Sequence, residues 1–74
     1  MNKLLMNTVH LENHYNCICD LLPGWIVTCR GDFETFKKEV QESIAFYTDC
    51  AKENGDSYPK FLDEDFEIVY SFKM

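Results

Sequence analysis

Basic residues are scarce in this sequence: seven Lys and Arg stand against thirteen Asp and Glu, for a formal net charge of -6. Phosphate backbones repel such a chain, so direct nucleic-acid binding by this segment is disfavoured. Long apolar runs are lacking too. No stretch approaches the ~18 residues of a membrane span, and Met1 to Leu5 lacks the basic-then-apolar plan of a secretion signal. The expected setting is therefore cytoplasmic, away from any membrane. There is no internal repeat and no low-complexity stretch.

The four cysteines, Cys17, Cys19, Cys29 and Cys50, form no C-x2-C pair of the kind metal sites use. Without an export signal a disulfide framework is not expected either. On a strand, Cys17 and Cys19 point to one face, which suits small buried hydrophobes. Plain core thiols are the expectation. His10 and His14 have the i, i+4 spacing that favours zinc only on a helix, and their stretch reads as strand and turn. Neither has a Ser or Cys placed beside it as a nucleophile, so no catalytic constellation emerges. The expectation is a protein that is not an enzyme and holds no metal or cofactor.

What is present is one small domain spanning residues 1–74, with 46% hydrophobic side chains. A chain of this size buries only roughly 60% of the surface its unfolded form exposes. Marginal stability, or help from a partner, follows. Lys3 to Leu11 carries Leu5, Val9 and Leu11 on one parity and Leu4, Met6 and Thr8 on the other, a strand contacted on both faces. After the polar break Glu12-Asn13-His14, Tyr15, Cys17 and Cys19 alternate with Asn16, Ile18 and Asp20, completing a hairpin. Pro23-Gly24 marks a turn, because Pro fixes φ and Gly accepts φ > 0. Trp25 to Cys29 then resumes alternation as a third strand of an antiparallel meander.

At Asp32 the period changes. Asp32 is placed as a helix N-cap, and Glu34 adds negative charge where the helix dipole favours it. Phe33, Phe36, Val40, Ile44, Tyr47 and Ala51 recur at three or four residues, the stripe of an amphipathic helix. Phe46 and Cys50 are expected to widen its apolar face, and Asn54-Gly55 closes it. Residues 56–65 read as a loop holding the acidic cluster Asp63, Glu64 and Asp65. Phe66, Ile68, Tyr70 and Phe72 alternate with Glu67, Val69 and Ser71 as a last strand whose aromatics should face the helix. The predicted fold is α+β, an antiparallel β-β-β-α-β arrangement with one helix packed on one face of a small sheet. Its other face is expected to carry Leu4 or Met6 with Ile18, Ile26 and Val69, uncovered and available for self-association as a homodimer or higher homo-oligomer.

These residues resemble the HicB-type antitoxins of bacterial toxin–antitoxin pairs over nearly the whole chain. The run Asp20-Leu21-Leu22-Pro23-Gly24-Trp25 is close to the family's Pro-Asp-Leu-Pro-Gly-Cys turn, and Gly31-Asp32 opens a helix a few residues later. Phe33 to Glu53, with Phe46-Tyr47, is similar to the family's helix, and Phe61-Leu62-Asp63-Glu64-Asp65-Phe66-Glu67 also looks like members of it. The order and spacing of these segments together carry the resemblance. In departure from the family, Glu12-Asn13-His14 replaces a Gly-rich turn and Trp25 stands where Cys is frequent. The family typically continues into a helix-turn-helix or ribbon-helix-helix module, which is absent from this chain, so this is either a short member or an amino-terminal domain.

The resemblance implies a partial ribonuclease H-like fold that binds and neutralises a toxin ribonuclease of the HicA type. Asp20 and Asp32 could be asked to form a two-metal nuclease site, but they read more economically as a turn residue and a cap. A basic partner would be steered by the charge of the chain. Asp63, Glu64, Asp65 and Glu67 are the expected contact charges, and Trp25 is either an anchor for the partner or a core aromatic of the meander. The alternative function is a homodimerisation module of a transcriptional autorepressor whose DNA-binding part is missing here.

Overall fold

The computed structural model describes residues 2–73. Strands β1 (Asn2–Leu11), β2 (His14–Ile18) and β3 (Ile26–Arg30) precede helix α1 (Phe33–Asn54), a 3-10 turn (Lys60–Asp63) and strand β4 (Phe66–Phe72). The spatial order is β3-β2-β1-β4.

β1 and β2 pair antiparallel, with Leu11 opposite His14, so Glu12 and Asn13 alone make the hairpin turn. β2 and β3 pair antiparallel as well. Between them, Leu22 N donates to Cys19 O and Trp25 N to Leu22 O, each at 3.0 Å, which makes two successive turns. Pro23 and Gly24 are the central residues of the second, and Gly24 has φ 79°, the positive value that a type II turn places on Gly.

The wholly antiparallel sheet expected from sequence is corrected here, because β4 lies parallel to β1, with Leu4 opposite Ile68 and Met6 opposite Tyr70. The reason is directional. β1 and β3 run the same way, and the single helix returns the chain to the starting end of the sheet, so the next strand repeats their direction. A parallel pair requires such a crossover. At 22 residues the helix is about 33 Å long, enough to carry the chain from the β3 edge to the β4 edge.

The helix begins and ends where local chemistry dictates. Asp32 accepts from Thr35 N at 2.9 Å, satisfying one of the free donors of the first turn. At the other end Gly55 adopts φ 71°. Asp56 N donates to Ala51 O at 2.8 Å and Gly55 N to Lys52 O at 3.3 Å, the paired bonds of a Schellman motif. Phe36, Val40, Ile44, Thr48 and Ala51 form the buried stripe.

That stripe meets one face of the sheet. Leu4, Met6 and Thr8 of β1, Cys17 of β2 and Phe36 of the helix are essentially without solvent contact. Each large apolar side chain so buried contributes about 1.5–3 kcal/mol. Tyr15, Phe33, Phe36 and Tyr70 extend the core as an aromatic cluster, with Tyr15 stacked on Phe36 at 4.9 Å and Phe33 edge-on to Tyr70 at 5.3 Å. Partners across a strand pair share a face, so Ile68, Tyr70 and Phe72 of β4 lie on the helix side with Leu4, Met6 and Thr8, as their alternation predicts.

Two expectations fail by the same geometry. Met6 is fully buried under the helix and is no part of an open face. Phe46, expected to help cover the sheet, is 60% exposed, because its place in the helical turn falls outside the stripe set by Phe36, Val40 and Ile44.

Candidate interaction surface

The face of the sheet opposite the helix carries Leu5 and Asn7 of β1, Ile18 of β2, Ile26 of β3, and Glu67, Val69 and Ser71 of β4, as the alternation of each strand requires. Ile18 is directly opposite Ile26, and Leu5 directly opposite Val69. Leu5 is also the diagonal neighbour of Ile18, which is paired with Asn7. A diagonal apolar band therefore crosses all four strands. Leu5, Ile18 and Ile26 are 49%, 47% and 64% exposed, left open by the described residues. Three of the four expected self-association residues, Ile18, Ile26 and Val69, thus lie on this band, and Leu5 takes the place assigned to Met6.

The expected partner-binding residues do not gather. Trp25 is buried at the β3 edge, and its Nε1 donates to Ser43 Oγ at 3.0 Å. It packs as a core aromatic of the meander, with 6% of its surface exposed. Asp63 sits in the 3-10 turn, bound to Lys52 Nζ at 2.8 Å and accepting from Tyr58 Oη at 2.7 Å. The Lys52 bond, then the Tyr58 bond, holds the Asp63 carboxyl below the usual carboxylate range; the same pairing raises Lys52. Asp63 fastens the 56–65 segment to the helix. Glu64 and Asp65 are exposed beside it, while Glu67 projects from the open face opposite Lys3.

Sequence periodicity passed over a third surface, on the flank of the helix nearest β3. Here Phe46 lines a shallow groove with Gly24, Trp25, Ile26, Tyr47 and Cys50. Along the helix that hollow is continued by Glu42, Asp49 and Glu53. The signal in the sequence was a large aromatic out of phase with the apolar stripe.

Chemistry of the remaining polar groups is modest. Burial, and secondarily Cys19, pushes the Cys17 thiol up to about 12, and Cys19 is raised by burial as well. Among the described residues no group of three or more His, Cys, Asp or Glu side chains is placed to hold a metal ion, and no helix is long and apolar enough to cross a membrane. No family model, curated protein or solved structure matches the chain. The surfaces themselves must carry the functional argument.

Proposed function

We propose that this domain is an antitoxin-like binding module that occupies and neutralises a small basic ribonuclease of the HicA type in the cytoplasm, with no catalysis of its own. The observation that carries the reading is the coexistence of net charge -6 with an apolar band on the open face of the sheet, Leu5, Ile18 and Ile26 exposed and Val69 partly so. Contiguous exposed apolar surface of this kind marks association. The negative charge selects a cationic partner and speeds its approach. A ribonuclease that holds RNA presents such a basic surface.

The resemblance of Asp20 to Trp25, Gly31-Asp32 and Phe61 to Glu67 to HicB-type antitoxins supplies the identity of the partner class. It also supplies the finer reading of the fold as a partial ribonuclease H-like sheet, which the element order β-β-β-α-β supports. The test is inhibition. A purified HicA-type ribonuclease mixed with a molar excess of this domain is expected to lose RNA cleavage and to elute with it as a complex; full activity and no complex at micromolar concentration would overturn the reading.

A second reading, a homodimerisation module of a transcriptional autorepressor, is favoured by the self-complementary Ile18 and Ile26 pair on the open face. Sedimentation of the domain alone tests it. A dimer that Ile26→Glu dissociates supports it, and a monomer at high concentration excludes it.

A further inference from the structure

Phe46 and Ile26 are the two most exposed large hydrophobic side chains described, at 60% and 64%, and they line one groove between helix α1 and the β3 edge. Single exposed hydrophobics are ordinary on protein surfaces. Two of them sharing a hollow floored by Trp25 and Tyr47 are a patch.

Of the helix lysines, Lys37 and Lys52 already hold a carboxylate, Glu34 at 3.0 Å and Asp63 at 2.8 Å, and Lys38 stands one turn before Glu42. Glu42, Asp49 and Glu53 line an adjoining hollow on the helix that shares Phe46 and Cys50 with the groove, and among the described residues none of the three is in an ion pair. From Glu42 to Glu53 the carboxylates extend about 16 Å along the helix, roughly three turns. An apolar groove continued along the helix by a hollow with three carboxylates outside any ion pair is complementary to a cationic amphipathic segment. It is poorly suited to a second copy, which would bring the same carboxylates against it, or to anionic nucleic acid.

We propose that the groove between helix α1 and β3, centred on Phe46, is the docking site for a Lys- or Arg-bearing amphipathic segment of the partner. Its apolar side chains seat against Phe46 and Ile26, and its cations meet Glu42, Asp49 and Glu53. This rests on the partner being a basic protein, as argued above, and moves its main contact from the Asp63 to Glu67 segment to the helix flank. Helix-in-groove recognition of this kind reads apolar anchors at i, i+3 or i+4, and i+7.

The test uses the whole chain with two probes, an inactivated HicA-type ribonuclease and a labelled amphipathic peptide of about 15 residues with leucines on one helical face flanked by lysines. Binding is followed by fluorescence anisotropy at low salt. Phe46→Ala is expected to weaken both probes by about tenfold or more, as truncation of an apolar anchor does. Asp49→Lys is expected to weaken both as well, and serves in place of Phe46→Ala if that variant fails to melt like the wild type. Glu64→Lys, on the other surface, is expected to leave both within about twofold, as for a peripheral charge.

If the ribonuclease binds all variants equally, the toxin reading stands and the groove assignment falls. If the peptide alone binds, and binds through Phe46, the groove stands and the toxin reading falls. Loss of neither or binding of neither overturns the proposal. A wild-type dimer that Phe46→Ala dissociates gives the groove to a second copy and overturns it too.

Discussion

The indole Nε1 of Trp25 donates to the hydroxyl of Ser43 at 3.0 Å, tying the start of β3 to the middle of helix α1. Tyr47 Oη reaches the Pro23 carbonyl at 3.4 Å nearby. The Pro23-Gly24 turn is therefore fixed to the helix at Pro23 and at Trp25, and the groove walls built from this turn keep their shape. Replacing Ser43 with Ala leaves a largely buried N–H without its partner, at a cost of about 1 kcal/mol. Trp25→Ala removes the side chain and is expected to cost about 3–5 kcal/mol. Urea unfolding of both variants checks the pair.

Tyr70 presents the opposite case. Its hydroxyl is buried without a hydrogen-bond partner, and burial, followed by the neighbouring Cys17, pushes its ionisation up to about 12. Removing an unsatisfied polar atom while keeping the ring relieves its desolvation cost. Tyr70→Phe is therefore expected to stabilise the fold by about 1 kcal/mol, read as a higher urea midpoint with an unchanged slope. A lower midpoint would mean that the hydroxyl has a partner in solution.

Helix capping gives a pH signature. The Thr35 N–H bond at 2.9 Å, the first cause, holds the Asp32 carboxyl below the usual carboxylate range. A lowered folded value means that its stabilisation is complete above the unfolded Asp value of about 3.9. It is then lost as the pH falls through the folded value. Asp32→Ala should thus melt below the wild type at neutral pH, and the gap should narrow in acid. Thermal melts across that range provide the check; a gap independent of pH would assign the effect elsewhere.

Thiol accessibility separates the core from the groove. Cys17 and Cys19 are buried, whereas Cys29 and Cys50 are partly exposed. Native-state alkylation followed by mass spectrometry is expected to label Cys29 and Cys50, with Cys17 and Cys19 reacting only after denaturation. Because Cys50 lines the Phe46 groove, a partner seated there should also protect it.

The elements were legible because each rests on short-range chemistry. The Tyr15 and Cys17 alternation, the Pro23-Gly24 turn, the Asp32 cap, the Gly55 end and the aromatic parity of β4 are all local patterns. The parallel pairing of β4 with β1 was not legible, since alternation is blind to strand direction and the answer depends on where a long helix returns the chain. Parity alone was also insufficient for Met6: β1 has apolar residues on both faces, and only the packing of Phe36 and Val40 decides which is covered. Phe46 was lost to the assumption that an aromatic on an amphipathic helix belongs to its buried face. The open-face band was therefore visible in strand alternation, and the Phe46 groove was not, because Phe46 departs from the stripe that defines the core.

The proposed role of this acidic domain is to cover a basic ribonuclease. Its most direct test is the initial rate of RNA cleavage by a HicA-type ribonuclease titrated with the domain. The expected result is complete inhibition at stoichiometric excess, relieved by raising salt as charge complementarity requires. Unchanged cleavage at micromolar excess and low salt would contradict it.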